Sequence, residues 1–213
     1  MLSFAGEKRG MDIHILSQKS DDPAAQVSGN WKKGNPHRFE DIKAFAKNVD
    51  FLTFESEFID ATLLMKLQKV NKKLQIFPRP SALNLLQDRK SQKTLFDLNG
   101  IPTARWLSFA EGLSPKNIGD LLWDFFPKGF VLKQRRNGYD GYGTFVCRSQ
   151  KDFLKIAASL HLPLNQFIAE EFIPFRRELA VMAGRTKTGN TFSYPLVETS
   201  QVNSQCDWVR GPY

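Results

Sequence analysis

Residues 130–148 read FVLKQRRNGYDGYGTFVCR, and their reading decides how the flanking segments are assigned. Phe130, Val131 and Leu132 are apolar and β-prone, as are Thr144, Phe145 and Val146. Between them Gly138, Gly141 and Gly143 make a permissive loop, and Asp140-Gly141 is a strong turn signal. The pattern predicts a β-hairpin with a glycine-rich tip and basic flanks at Lys133, Arg135 and Arg136. Glycines let backbone amides approach an anion, and successive N–H groups in a turn can form a nest for phosphate oxygens. No helix follows at once and Gly-Lys-Ser/Thr is absent, which excludes a P-loop. An ordinary hairpin with a solvated basic rim fits the same residues.

Toward the N-terminus of this stretch, Ser114 opens a helix through Leu122, with Trp123, Phe125 and Phe126 expected in a core. Downstream come a helix over Lys151–Leu160 and a strand over Asn165–Glu171 that ends in two acids. Pro174 breaks it, Glu178–Ala183 resumes as a strand, Thr188-Gly189-Asn190 turns, and Phe192–Val197 is a last strand.

The first third has another rhythm. Residues 2–10 read as a helix closed by Gly10, and Ile13–Leu16 as a buried strand. Ser17–Gly34 is expected to be loop, with Asp21-Asp22-Pro23 able to start a helical turn. Phe39–Asn48 is amphipathic, Asp50–Phe54 a strand, Ala61–Val70 a helix and Leu74–Phe77 a strand. Strands alternating with helices predict a parallel sheet flanked by helices, with ligands beyond the carboxyl ends of its strands, where Glu55 and Glu57 fall. Ser81 is expected to cap a helix over Ala82–Gln87, with a further helix over Asp88–Asn99. The expected division is a domain over residues 1–80 and another over 81–213, an α/β start joined to an α+β domain. Arg89, Lys90 and Lys93 read as a solvated helical face.

Composition narrows the partners. The 213 residues are 41% hydrophobic and 24% charged, values of a globular chain with a real core. The net charge of +8 favours anions, and the scattered basic residues favour small phosphates over nucleic acid. No apolar run approaches the roughly 20 residues of a membrane span, and MLSFAGEKRGMDIHIL lacks the features of a signal peptide. Cys147 and Cys206 have no metal spacing, and a reducing cytoplasm is expected. His14, His37 and His161 show no catalytic or metal-ligating pattern.

One constellation raises the hairpin above an ordinary turn. Lys133 lies on the strand entering the glycine loop, and Glu170, Glu171 and Glu178 lie on strands downstream. A nucleotide needs cations for its phosphates, a strand edge to read its base and a carboxylate for its ribose hydroxyls. Lysine suits the first task as a compact point charge.

The chain resembles the ATP-grasp enzymes, and among them the carboxyaminoimidazole ribonucleotide synthases, the ATPase subunits of phosphoribosylaminoimidazole carboxylase. The matching segments are DDPAAQV at 21–27, TFESE at 53–57, QDRKSQKTLFDLNGIPTA at 87–104 and LKQRRNGYDGYG at 132–143, with IAEEFIPFRRELAV at 168–181 and YPLVE at 194–198. The resemblance implies a partial pre-ATP-grasp domain with a parallel sheet, followed by an incomplete ATP-grasp domain carrying the glycine-rich hairpin. It implies that Arg89 and Lys133 contact ATP phosphates or flank the adenine, under a loop containing Gly138, Gly141 and Gly143. Glu170, Glu171, Phe172 and Ile173 would read the adenine edge, and Glu178 would hold the ribose. Tyr139 and Asp140 would hold aminoimidazole ribonucleotide, joined by one of Glu55 and Glu57, and together with Lys133 would form the catalytic set.

The implied reaction is ATP-driven carboxylation. Bicarbonate attacks the γ-phosphate to give carboxyphosphate, and the amine of aminoimidazole ribonucleotide captures the carbon. Against the family pattern, Met1 falls just after the first strand and its Gly-x-Gly-Gln-Leu-Gly loop. Tyr213 falls before the magnesium-binding carboxylates, so Mg2+ ligands are expected outside these residues and none within them. Tyr142 stands where the family usually has lysine or arginine and Thr144 where it usually has glutamine. The lost cation at 142 is expected to weaken binding of substrate phosphate or carboxyphosphate. A homodimer is implied by the relatives. The alternative is a nucleotide-binding remnant of the same enzyme that does not catalyse.

Overall fold

The computed structural model describes residues 2–202 and 205–213. The chain divides into two compact units, residues 1–88 and 89–213.

The first unit is built from short alternating elements: α1 (Leu2–Glu7), β1 (His14–Ser17), α2 (Pro23–Val27), β2 (Asn30–Lys33), α3 (Phe39–Phe45), β3 (Phe51–Leu52), α4 (Ala61–Val70), β4 (Gln75–Ile76) and α5 (Pro80–Leu86). Its strands pair in parallel, β1 with β2 and β3 with β4, as the strand–helix alternation requires. The segment expected to be loop, Ser17–Gly34, therefore contains a strand. NWKK escapes a pattern search because Trp31 alone of its four residues is even half-buried, whereas the helical turn at Asp22-Pro23 forms as expected. Asp60 caps α4 by accepting from the Thr62 N–H. Ser81 caps nothing: Pro80 takes the first helical turn with its preset φ, and Arg79 stands at the cap position. Ile42, Leu64, Leu67, Leu74 and Ile76 are buried together as this unit's core.

The second unit contains α6 (Arg89–Leu98), β5 (Trp106–Ser108), α7 (Pro115–Phe125), β6 (Phe130–Gln134), β7 (Thr144–Cys147), α8 (Gln150–Ser159) and β8 (Phe167–Glu171). It continues through β9 (Glu178–Ala180), β10 (Ala183–Arg185), β11 (Thr191–Ser193), β12 (Val197–Val202) and β13 (Gln205–Arg210). The central hairpin forms as read, β6 against β7, inside a four-stranded antiparallel sheet of order β5-β8-β6-β7. Strand alternation divides its side chains. Phe130 and Leu132 of β6 and Phe167 and Ala169 of β8 enter one core with Ile118, Leu122, Phe126 and Phe153. Val131, Lys133, Ile168 and Glu170 alternate with them and so face the other way.

Three expectations need correction here. Phe125 is 38% exposed, under the Arg105 guanidinium, while Phe126 is the buried member of the pair. Glu178–Ala183 is two strands, with β9 pairing β12 and β10 pairing β11 in a hairpin closed by Gly189. Phe192–Val197 likewise splits, and Val197 begins β12, which pairs with β13 beyond it.

Candidate functional site

The site grows from the face of the sheet opposite the second unit's core. In the β6–β8 ladder Lys133 is opposite Ile168 and Val131 opposite Glu170, so Lys133 and Glu170 are diagonal neighbours on one face. Lys133 Nζ donates to Glu170 Oε2 at 2.8 Å. Glu170 is 9% exposed, deep enough that its carboxylate requires charged partners.

A second cation comes from α6. Lys93 Nζ lies 3.5 Å from Glu170 Oε1 and donates to Thr103 Oγ1 at 2.6 Å and to the Ala104 carbonyl at 3.2 Å. The reading of Lys93 as a solvated residue is wrong: it is 6% exposed. Burial pulls its pKa below the ordinary lysine value, against the pull of Glu170 in the other direction. Lys93 follows Arg89 by four residues, so both lie on one face of α6, a spacing that was legible without a structure.

Arg89 ties that same face to the hairpin. Its backbone N–H donates to the Arg135 carbonyl at 2.9 Å and its Nε to the Gln134 carbonyl at 3.2 Å. A Cβ added to Gly138 would lie 3.1 Å from the Tyr142 carbonyl oxygen and 3.5 Å from Arg89 Nη2, so this glycine is where loop and guanidinium pack. The tip is tightly coiled: Asn137, Asp140, Gly141 and Gly143 all have positive φ. The Tyr139 and Tyr142 rings stack at 5.0 Å, exposed with Asp140 at the tip.

The other expected residues are dispersed. Glu171 points to the opposite face from Glu170 and is held by Arg105 in a two-pronged pair, at 2.9 and 3.1 Å. That guanidinium keeps the Glu171 carboxyl below its usual pKa. Phe172 lies under the Arg148 guanidinium at 3.4 Å, and Ile173 is exposed. Glu178 is exposed on β9, in the separate three-stranded sheet β13-β12-β9. Glu55 and Glu57 are exposed in the first unit after β3, where Gln87 Nε2 donates to the Glu57 carbonyl at 2.7 Å. Sequence reasoning misses Lys93 as a member of the Glu170 cluster, and Arg105 and Arg148 as the partners of Glu171 and Phe172. Nothing in the sequence pairs Arg105 with Glu171 or Arg148 with Phe172, since the partners are joined only by tertiary packing.

The arrangement is thus a buried carboxylate between two lysines, one of them on the strand that enters a glycine-rich loop whose base is held by an arginine. The family model for the ATP-grasp domain matches residues 94–213. The chain belongs to the ATP-grasp family. The ribonucleotide synthetase preATP-grasp domain model matches residues 1–87. The N5-carboxyaminoimidazole ribonucleotide synthase of Synechococcus elongatus is 36% identical over 213 residues, covering 100% of this chain and 52% of that protein. The phosphoribosylaminoimidazole carboxylase of Saccharomyces cerevisiae is 36% identical over 205 residues, covering 93% and 34%. A solved carboxyaminoimidazole ribonucleotide synthase from Aspergillus clavatus, complexed with ATP, superposes with a TM-score of 0.86 at 28% identity, covering 98% of this chain and 53% of that one. The Aspergillus clavatus enzyme with ADP and 5-aminoimidazole ribonucleotide gives a TM-score of 0.86 at 26% identity over 98% of this chain and 52% of that one. The chain spans about half the length of the Synechococcus relative it matches. These likenesses bear out the fold: a preATP-grasp α/β unit followed by an ATP-grasp unit with the expected hairpin.

Proposed function

We propose that this chain binds ATP and takes part in the carboxylation of aminoimidazole ribonucleotide with bicarbonate through carboxyphosphate, a ligase step of purine biosynthesis. The observation that carries the proposal is the match of the whole chain, at 36% identity, to a synthase of that name. The Lys93–Glu170–Lys133 cluster, with Lys133 on the strand that enters the glycine-rich loop, supplies the chemistry in its support.

In the proposed reaction a bicarbonate oxygen attacks the γ-phosphorus as the bond to the β-phosphate oxygen breaks, giving carboxyphosphate and ADP. The amine of aminoimidazole ribonucleotide then attacks the carbonyl carbon, loses a proton and expels phosphate. Such a transfer depends mainly on positioning and on neutralising oxygen charge. Lys133 and Arg89 are the cations at the flap's base that would face the phosphates, with Gly138, Gly141 and Gly143 closing over them to exclude water. Glu170 and Glu171 with Phe172 and Ile173 are proposed to read the adenine edge and Glu178 the ribose. Tyr139, Asp140, Tyr142 and one of Glu55 and Glu57 are proposed to hold the ribonucleotide. Magnesium supplies further charge neutralisation in phosphoryl transfer. Among the described residues no group of three or more His, Cys, Asp or Glu could hold a metal ion. Lys133 and Arg89 are the cations that this part of the site would itself contribute. A cytoplasmic homodimer completes the proposal; among the described residues no helix is long and apolar enough to cross a membrane.

ATP binding by calorimetry, followed by phosphate release with and without aminoimidazole ribonucleotide and bicarbonate, tests this reading. Saturable ATP binding with ribonucleotide-dependent phosphate release is the expected result. Binding without release would reduce the chain to a non-catalytic nucleotide binder, and neither would overturn the proposal. Light scattering checks the dimer.

A further inference from the structure

Lys93, Glu170 and Lys133 carry charges that do not cancel: two cations share one carboxylate, with Oε1 facing Lys93 at 3.5 Å and Oε2 facing Lys133 at 2.8 Å. The lysines are not equivalent. The Lys93 side chain is 7% exposed, and its ammonium donates to Thr103 Oγ1 and the Ala104 carbonyl while lying 3.5 Å from Glu170 Oε1. The Lys133 side chain is 28% exposed and sits where β6 enters the flap.

If Glu170 had Lys133 alone, moving that ammonium onto an incoming anion would leave a buried carboxylate uncompensated, a costly state. The anion would then compete against Glu170 for its own ligand. A second, immobile cation removes the competition. We propose that Lys93 is a positioning residue that holds and neutralises Glu170, leaving the Lys133 ammonium free to transfer to a nucleotide phosphate. The inference rests on the nucleotide-binding reading above and adds a residue to it: Lys93 need not touch the nucleotide, and acts through the partner it shares with Lys133.

The test compares ATP, ADP and adenosine affinities by calorimetry for the full chain, Lys93→Gln, Lys93→Arg, Glu170→Gln and Lys93→Gln combined with Glu170→Gln, each checked for folding by circular dichroism. Lys93→Gln keeps a donor for Thr103 and removes the charge; it is expected to weaken ATP and ADP about tenfold, the scale of one charge-assisted contact. Adenosine, which has no phosphate for Lys133, should change less than about twofold on the same ground. Lys93→Arg should restore ATP affinity. With Glu170→Gln already in place, Lys93→Gln should have little further effect, because Lys133 is no longer captured. An equal loss for adenosine, an equal loss with Glu170→Gln in place, or no loss for ATP would overturn the role of Lys93. Should Lys93→Gln not fold, Lys93→Met makes the same comparison with an apolar stem. Failure of the unsubstituted chain to bind ATP would overturn the nucleotide reading and this inference with it. ATP binding that is unaffected by Lys93→Gln would overturn this inference alone.

Discussion

Lys133 and Lys93 differ in what they do for the same carboxylate, and each difference is measurable. Lys133→Ala removes the half-exposed ammonium while Glu170 keeps Lys93 as counter-ion. Loss of a charge-assisted phosphate contact is worth about 1.5–3 kcal/mol, so calorimetry should show ATP affinity lower by about tenfold or more. Unchanged affinity would make Lys133 only a structural counter-ion of Glu170. Lys93 has its own signature in stability against pH. Its native pKa lies below the ordinary 10.5, chiefly through burial. As pH rises from the native value toward 10.5, the unfolded chain binds a proton that the folded chain lacks, and stability rises with pH. The stability difference between the unsubstituted chain and Lys93→Met should therefore move in favour of lysine as pH rises through that window. Urea unfolding at a series of alkaline pH values reads it, and a difference moving the other way would contradict the burial argument.

At the scale of the element, the hairpin tip owes its shape to backbone conformations that side chains disfavour. Gly143 has φ +72°, and a Cβ there would come within 2.7 Å of the Gln134 side chain. Its carbonyl accepts from the Gln134 N–H, closing the tip onto β6. Gly143→Ala is expected to cost about 1–3 kcal/mol in urea unfolding, the usual scale of strained backbone. A neutral result would show that the tip relaxes at no cost. The helices were legible at this scale because their caps and apolar spacings are local. Ser114 and Ser149 cap α7 and α8 by accepting from Asn117 and Asp152 N–H groups, and Asp60 caps α4. Five strands escape the pattern: β2, β5, β10, β12 and β13. They are short, polar or exposed, and exist because a neighbour supplies their hydrogen bonds.

At the scale of the whole molecule, the described residues form two cores rather than one, each within one unit. Leu64 at 2% exposure and Leu122 at 0% are central to them. Leu64→Ala and Leu122→Ala should each lower unfolding free energy by about 2–5 kcal/mol in denaturant melts. A loss below that range at either position would mean that the site collapses around the cavity.

The amino-acid order by itself determined the alternating α/β start and the glycine-rich hairpin, because turn chemistry, capping and side-chain period act over a few residues, while the family came from the resemblance of whole segments such as LKQRRNGYDGYG at 132–143. It also singled out Lys133 and Glu170, which the structure joins in an ion pair at 2.8 Å. Only the tertiary structure decided that Lys93 is buried against Glu170, and that Glu171 belongs to Arg105 on the other face. Those facts depend on strand register and on which helix covers which face of the sheet. Charge pairing between residues 66 or 77 positions apart leaves no local trace in composition or spacing.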